Sequence, residues 1–487
     1  MKLLAIVLVA LTSSVCATPS PKCGLKHVRR PADGDDFKVP IVEIDQNFQE
    51  ILTNIQQSDD FEDNLNIPID SPKDHMGLHY IDTLEEMQEM GVNTQSINPD
   101  LIEDAFLLVP ELIRKHGYPA ERHTVRTSDG YLLEMHRIPF SPHNTTAEGR
   151  QPVFLMHGLL DSSSTWVIMR PGNGLAYLLA DMGYDVWMGN ARGNRYSRNH
   201  VTFDPDGRRS DRRRFWEFSW HEIGTTDLPA MIDYVLAQTG YEKLHYIGHS
   251  QGTTSFFVMA SERPAYNDKI LSMQALAPVA FMSNLRSPFV RAASLFLNTL
   301  DTATSVLGIY EFLPTSELLA LGGQAACRDE AWTQALCYNV LFLIAGFNSA
   351  QTNTTMIPVM LGHTPAGASA NQLIHYGQGV RSRRFRQYDW GMVSNLWTYG
   401  SINPPAYNLR NIRAPVALHY SANDWLAEPV DVEELHQGLP NVIGKFLVPD
   451  PLFNHLDFVW AIDVRTLLYD RVFQIMRLVE QGVLPIR

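Results

Sequence analysis

Gly248-His249-Ser250-Gln251-Gly252 decides the fold of this chain, because of what stands on either side of it. Lys243-Leu244-His245-Tyr246-Ile247 reads as a short buried strand, and residues 253–260, Thr-Thr-Ser-Phe-Phe-Val-Met-Ala, read as a helix. A G-x-S-x-G between a strand and a helix is a nucleophile elbow, a tight strained turn that lifts a serine Oγ clear of the sheet. Side chains at positions 248 and 252 would collide as strand and helix close together, which is why glycines stand there. The pentapeptide alone is a weak signal. Its flanks make Ser250 a candidate nucleophile.

A serine hydroxyl near neutral pH needs a base to take its proton, and that base needs an acid to orient its ring. After an elbow of this kind the chain order is Ser, then Asp or Glu, then His, each on a loop at the carboxyl end of a strand. Asp424 follows an apolar strand at 416–420, and His455 follows a strand at 445–448. Asp431 opens the next helix, and Asp457 is placed to anchor the histidine's own loop, so both are weaker choices, as is Asp450. The oxyanion formed by attack on an ester needs preorganised N–H donors, worth about 3–4 kcal/mol each. Gln251, next to the nucleophile, supplies one; Leu159, in His157-Gly158-Leu159-Leu160 after the strand at 153–156, supplies the other. His157 then holds its loop, and His249 packs inside the elbow.

Working outward, apolar runs at 153–156, 185–188, 244–247, 270–276, 415–420 and 445–448 alternate with helical patterns. Short apolar runs with helices between them predict a mostly parallel sheet covered by helices on both faces. A helix is expected at 101–116, ending at Gly117, then a hairpin around Ser128-Asp129-Gly130. The roughly 140 residues between the strands at 270–276 and 415–420 are too many for one crossover. They carry helical patterns of their own around 287–300, 325–343 and 371–384. The expected organisation is a core of 98–280 and 411–487 with an inserted, mainly helical segment at 281–410.

With 45% apolar and 19% charged residues the 487-residue chain is globular, and its net charge of −14 argues against nucleic acid as a partner. The basic cluster at 208–214 lies beside Pro205 and Gly207 and reads as a solvated surface loop, with an anionic contact as the sharper alternative. Lys2, the apolar run 3–11 and Val15-Cys16-Ala17 form a secretory signal over residues 1–17. No later run of about twenty apolar residues predicts a transmembrane segment. Residues 18–97 form an acidic, disordered extension: from 18 to 95 there are 6 Lys+Arg and 16 Asp+Glu, a balance of −10. Cys327 and Cys337, ten apart, are able to close a short loop in an oxidising lumen, which leaves Cys23 over. These cysteines are too scattered for a metal site, and no cofactor is expected. Asn144 and Asn353 head N-x-T sequons.

These residues together resemble the acid lipase family of α/β-hydrolases, which includes gastric and lysosomal acid lipases and insect relatives. The resemblance is carried from about residue 98 onward by Glu111-Leu-Ile-Arg-Lys-His-Gly-Tyr-Pro119, Thr127-Ser-Asp-Gly-Tyr131, His157-Gly-Leu-Leu160, Gly189-Asn-Ala-Arg-Gly-Asn194, the elbow, Phe385-Arg-Gln-Tyr-Asp-Trp-Gly391, Asp424-Trp-Leu-Ala427 and His455-Leu-Asp-Phe458. It implies a Ser250–Asp424–His455 triad, oxyanion-hole roles for Leu159 and Gln251, a cap with a mobile lid at 281–410, and a Cys327–Cys337 disulfide in that cap. The acidic extension and the arginine cluster depart from the family pattern. The expected function is hydrolysis of a lipid ester, triacylglycerol or sterol ester, at a droplet, micelle or membrane interface, by a secreted or lysosomal monomer. An acyl transferase using the same residues and a silent lipid carrier are the rivals; a carrier needs none of the three.

Overall fold

In the computed structural model the described residues are 99–146, 148–295, 308–313 and 344–484, all within the unit Tyr80–Arg487. The segments expected to be a signal sequence and an acidic extension, together with Cys327 and Cys337, lie outside them. Eleven strands are present among the described residues: β1 (Glu121–Arg126), β2 (Tyr131–Ile138), β3 (Pro152–Met156), β4 (Asp185–Met188), β5 (Asn199–His200), β6 (Leu244–His249), β7 (Ile270–Leu276), β8 (Glu311–Phe312), β9 (Ala368–Ser369), β10 (Val416–Tyr420) and β11 (Val442–Leu447). Nine build one sheet in the order β1-β2-β4-β3-β6-β7-β10-β11, with β5 paired to β2. From β4 to β11 every neighbour is parallel, whereas β1, β2 and β5 pair antiparallel. Every residue of β3, β4 and β6 is buried. Successive strand residues point to opposite faces, so burial without alternation requires cover on both faces. The fold is the α/β-hydrolase fold.

The apolar runs locate the central strands within a few residues. Their polar exceptions are satisfied internally: buried His245 in β6 meets Ser272 Oγ at 2.8 Å through Nδ1 and Glu480 at 3.0 Å through Nε2. Two local expectations are corrected. The helix expected at 101–116 is two helices, Pro99–Phe106 and Val109–Lys115, separated by Leu108 in extended conformation (φ −67°, ψ 157°). Pro110 has no N–H and its ring would strike the carbonyl of residue 106 in a continuous helix, so the chain restarts with the proline in a first turn. The cluster expected to be a loop is a helix, Arg209–Phe215, whose Phe215 is buried while its arginines stay on the outside. Arginine is a good helix former, and Pro205 and Gly207 shape only the approach to it.

Between β7 and β10 the described chain forms helices Pro288–Leu295, Ile357–His363, Ala370–Ser382 and Met392–Tyr399 and the isolated antiparallel pair β8–β9. This stretch is anchored to the sheet layers at several points. Gly362 sits so close to Ala105 that a Cβ on it would lie 2.3 Å from the Ala105 carbonyl oxygen. His375 stacks on Trp220 with ring centroids 3.5 Å apart.

A buried charge cluster fixes the N-terminal side of the sheet. Arg192, 1% exposed, donates from Nε to Asp227 at 2.8 Å and from Nη1 and Nη2 to Asp129 at 2.7 and 3.1 Å. Its guanidinium lies 4.0 Å over the Tyr131 ring. The cluster ties the β1–β2 hairpin to the loop after β4 and to the start of helix Leu228–Thr239. Removing one member strands a buried charge. Asp227→Ala is therefore expected to lose about 3–5 kcal/mol of stability, read as a lower midpoint in chemical denaturation.

Candidate active site

Ser250 follows β6 directly and adopts φ 51°, ψ −115°, a left-handed backbone that a non-glycine residue takes only when its surroundings dictate it. Its N–H donates to the Leu276 carbonyl of β7 at 3.0 Å. A Cβ at Gly248 would lie 2.8 Å from the Gly252 carbonyl carbon. At Gly252 the obstruction is more severe and comes from another strand: the added atom would lie 2.2 Å from the Met156 carbonyl oxygen at the end of β3. Both glycines are needed because the elbow is pressed against β3 as well as folded on itself.

The loop after β11 brings His455 to this serine, with Nε2 2.8 Å from Ser250 Oγ. The loop after β10 brings Asp424, whose Oδ2 lies 2.8 Å from His455 Nδ1. With Asp424 ionised, Nδ1 carries the imidazole proton and Nε2 is left to accept from the serine hydroxyl. Asp424 is fully buried. Burial alone would raise its pKa, but His455 and the amides of Ala427 and Leu426, which donate to Oδ1 at 2.8 and 2.9 Å, hold the carboxyl below its ordinary range. None of the rival carboxylates reaches the imidazole. Asp431 accepts from the Asn284 N–H at 2.9 Å, Asp450 from Leu452 N–H at 2.9 Å, and Asp457 from Asn454 N–H at 2.8 Å.

The loop after β3 passes against the elbow, so closely that a Cβ on Gly158 would lie 3.3 Å from Ser250 Cβ. Leu159 comes next, then Leu160 at φ 62°. The N–H groups of Leu159 and Gln251 have no protein acceptor among the described residues. His157 holds this loop: Nδ1–H donates to the Gly158 carbonyl at 2.7 Å, and Nε2 accepts from Ala191 N–H at 3.1 Å. Burial pushes its pKa down to about 4, with the Gly158 carbonyl pulling the other way, so the ring stays a neutral acceptor. His249 does more than pack, since its Nε2–H donates to the backbone carbonyl of His455 at 3.0 Å. Burial, then the neighbouring His455, lower its pKa to about 3.

Several positioning groups carry no signal in the sequence. The Ala345 carbonyl accepts from both Trp425 and His455 N–H groups at 3.3 Å, coupling the two loops. Asn423 donates to the Phe347 and Leu452 carbonyls at 2.9 and 2.8 Å, and Asn348 donates to Asp457 at 2.8 Å. These partners are far apart in the chain and belong to no periodic pattern, so only the adjacency of Asn423 to Asp424 hinted at a role. Asn144 is exposed, and Asn353 is half-buried at the start of a short 3-10 turn. The structure brings together a serine hydroxyl, an imidazole and a carboxylate in one hydrogen-bonded line, with the Leu159 and Gln251 amides next in the chain to Gly158 and Ser250, residue types that acyl transfer requires.

The chain matches two family models, one described as a partial alpha/beta-hydrolase lipase region over residues 109–170 and one as the alpha/beta hydrolase fold over residues 151–461. It is 49% identical over 385 residues to Lipase 1 of Drosophila melanogaster, covering 78% of this chain and 82% of that one. It is 40% identical over 377 residues to gastric triacylglycerol lipase of Bos taurus, covering 77% and 92%. To human lysosomal acid lipase/cholesteryl ester hydrolase it is 38% identical over 371 residues, covering 76% and 90%. With this identity sustained over most of each chain, and with the sheet order already described, the protein belongs to the α/β-hydrolase lipase family and is a lipase, a carboxylic-ester hydrolase.

Proposed function

We propose that Ser250 is the nucleophile, His455 the general base and acid, Asp424 the orienting carboxylate, and the Leu159 and Gln251 amides the oxyanion hole of an enzyme that hydrolyses triacylglycerol or sterol esters. The observation that carries this reading is the unbroken chain Ser250 Oγ–His455–Asp424, with both contacts at 2.8 Å. Ser250 Oγ attacks the ester carbonyl carbon as its proton passes to His455 Nε2. The tetrahedral oxyanion faces the two amides, then collapses and expels the alcohol, which takes the proton from Nε2. Water attacks the acyl-enzyme by the same path, releasing the acid and restoring the serine. Asp424 stabilises the imidazolium formed in both steps. The substrate class rests on the relatives named for triacylglycerol and cholesteryl ester.

Residues 281–410 act in this proposal as a cap with a lid over the site, holding a Cys327–Cys337 bridge. The contacts of helix Ala370–Ser382 with the elbow helix support it: Gln251 Nε2 donates to Gln372 Oε1 at 2.6 Å, and Tyr376 Oη lies 3.2 Å from Thr254 Oγ1. We assign residues 1–17 as a signal peptide, 18–97 as an acidic extension, and Asn144 and Asn353 as glycan acceptors, and the chain as a secreted or lysosomal monomer working at a lipid–water interface. Among the described residues no helix is long and apolar enough to cross a membrane.

The site suits acidic surroundings. His249, its ring 5.1 Å from that of His455, remains neutral down to about pH 3 and adds no opposing charge as pH falls. Asp457 is held differently: burial raises its pKa to about 7, the Asn454 N–H and Asn348 amide pull it back, and Asp450 and Asp424 push it up again.

Ser250→Ala is expected to lower kcat on a soluble ester by at least about 10⁴-fold and to abolish labelling by an organophosphonate. His455→Ala added to it should cost little more, because the pair acts as a unit. Wild-type protein that fails to label, or labels equally after Ser250→Ala, contradicts the assignment. Products formed with an added alcohol separate hydrolysis from acyl transfer. For Asp457 the folded pKa exceeds the unfolded one, so its contribution to stability is present at low pH and lost as pH rises through about 7. Asp457→Asn keeps both accepted hydrogen bonds without the titration. Its Tm relative to wild type should therefore climb between about pH 5 and pH 8, measured by scanning fluorimetry.

A further inference from the structure

Arg192 belongs to the charge cluster that ties down the β1–β2 hairpin, but the two asparagines of the same loop, Asn190 and Asn194, make different bonds. Both are buried. The orientation of the Asn194 amide is fixed by its oxygen, which accepts from the Tyr196 and Ser197 N–H groups at 3.1 Å each and so closes its own turn. Its Nδ2 is left to reach the loop after β3. It lies 3.2 Å from His157 Nε2 and 3.3 Å from the Asp161 carbonyl oxygen, with Asn190 Oδ1 at 2.9 Å. The two hydrogens of Nδ2 are shared among these acceptors. His157 and Asp161 stand on either side of Leu159 in the chain.

The loop after β4 grips the loop after β3 at further points. Ala191 N–H donates to His157 Nε2 at 3.1 Å. Asn190 Oδ1 accepts from Ser163 N–H at 2.9 Å, where the gripped loop ends in a short 3-10 turn. The Leu160 carbonyl accepts from Ala366 N–H at 2.7 Å, and the Ala366 carbonyl in turn accepts from Arg195 N–H at 2.8 Å. Leu160 holds φ 62°, a conformation that a non-glycine residue keeps only when its surroundings impose it. Positions 157, 160, 161 and 163 are therefore all held by positions 190–195, directly or through Ala366. A backbone amide has no side chain to aim it, so the place of the Leu159 N–H follows from how the residues around it are fixed.

We propose that Asn194 is a positioning residue for the oxyanion hole, fixing the loop after β3 so that the Leu159 N–H meets the developing oxyanion. The inference rests on the assignment of the Leu159 and Gln251 amides as oxyanion donors. Among the described residues Asn194 bonds to none of Ser250, Asp424 and His455, so it acts through the loop. A misplacement of about 1 Å at a reacting centre costs roughly 10²-fold in rate. Loss of one oxyanion donor costs about as much, and it falls on kcat because the interaction strengthens in the transition state.

The test compares Asn194→Ser and Asn194→Asp with wild type in the full chain, on a water-soluble ester and on its thionoester, in which sulfur replaces the carbonyl oxygen. Both substitutions keep an oxygen that is able to close the turn at Tyr196 and Ser197, and both lose the Nδ2 donor. Sulfur is a weak hydrogen-bond acceptor. The ester-to-thionoester ratio of kcat/KM therefore reads the oxyanion donors and does not depend on how much enzyme is folded. Wild type should strongly prefer the ester. Each variant should lose about 10- to 100-fold in kcat on the ester, with KM within about twofold, and its ratio should fall by at least about tenfold. Scanning fluorimetry checks that the variants fold. Wild-type kcat in the variants, an equal loss on both substrates, or failure of both variants to fold would overturn the proposal, the last by assigning Asn194 to the fold alone. A wild type that hydrolyses both substrates equally well, with Ser250→Ala inactive on each, instead removes the oxyanion assignment beneath it. Activity that survives Ser250→Ala removes the assignment of the nucleophile.

Discussion

The approach of Gly252 to the end of β3 is the contact on which the site depends. A methyl group there would lie 2.2 Å from the Met156 carbonyl oxygen, so the helix after the elbow starts where only a glycine fits. That close start forces Ser250 to φ 51°, and the left-handed turn points its hydroxyl away from the sheet. The loop after β3 lies against the elbow at the same place, where a Cβ on Gly158 would be 3.3 Å from Ser250 Cβ. The cost of the turn is met by its neighbours: Ser250 N–H reaches β7 at 3.0 Å, and Tyr246 Oη donates to the Gly252 carbonyl at 2.9 Å. A strained turn persists only where its surroundings are rigid, and β6 lies between two parallel partners with every residue buried.

Around this turn the protein keeps charge scarce. His157 and His249 are buried and neutral, serving as hydrogen-bond partners for backbone groups. Asp424 is the buried anion beside the imidazole, and its ionisation is secured by two amides as well as by His455. The serine and histidine are thus held among buried neutral groups, a low-dielectric setting in which fixed dipoles act strongly on a neighbouring charge. Carbonyl groups of Ala345 and Phe347, from the long insertion, brace the same two loops. The insertion is therefore part of how the site is positioned.

Much of this was legible before any coordinates. Strands buried on both faces announce themselves as short continuous apolar runs, so β3, β4, β6, β7 and β10 were found within one or two residues. Asp424 and His455 were legible because the elbow fixes the chain order of its partners. Other features were not. Pro110 was visible, but the apolar spacing on either side of it suggested one helix where its ring imposes two. The arginine cluster has the sequence character of a loop because Pro205 and Gly207 stand beside it, although arginine itself favours the helix it forms. Ala345, Asn348 and Asn423 act through contacts with residues remote in the chain, which no local pattern encodes.

By itself the sequence determined the sheet-forming runs, the glycine-flanked serine and the order of the groups around it, because each follows from burial, backbone sterics or chain order within a few residues. Tertiary structure decided what those groups touch: which carboxylate meets His455, which carbonyl requires Gly252, and which way helix Met392–Tyr399 faces. A run such as Met-Val-Ser-Asn-Leu-Trp-Thr-Tyr has the same periodicity whether its apolar side turns inward or outward. The bonds that Asn395 makes to Asp389, Trp390 and Ile402 hold that residue inward and leave Leu396 and Trp397 facing out, beside exposed Ser394 and Thr398.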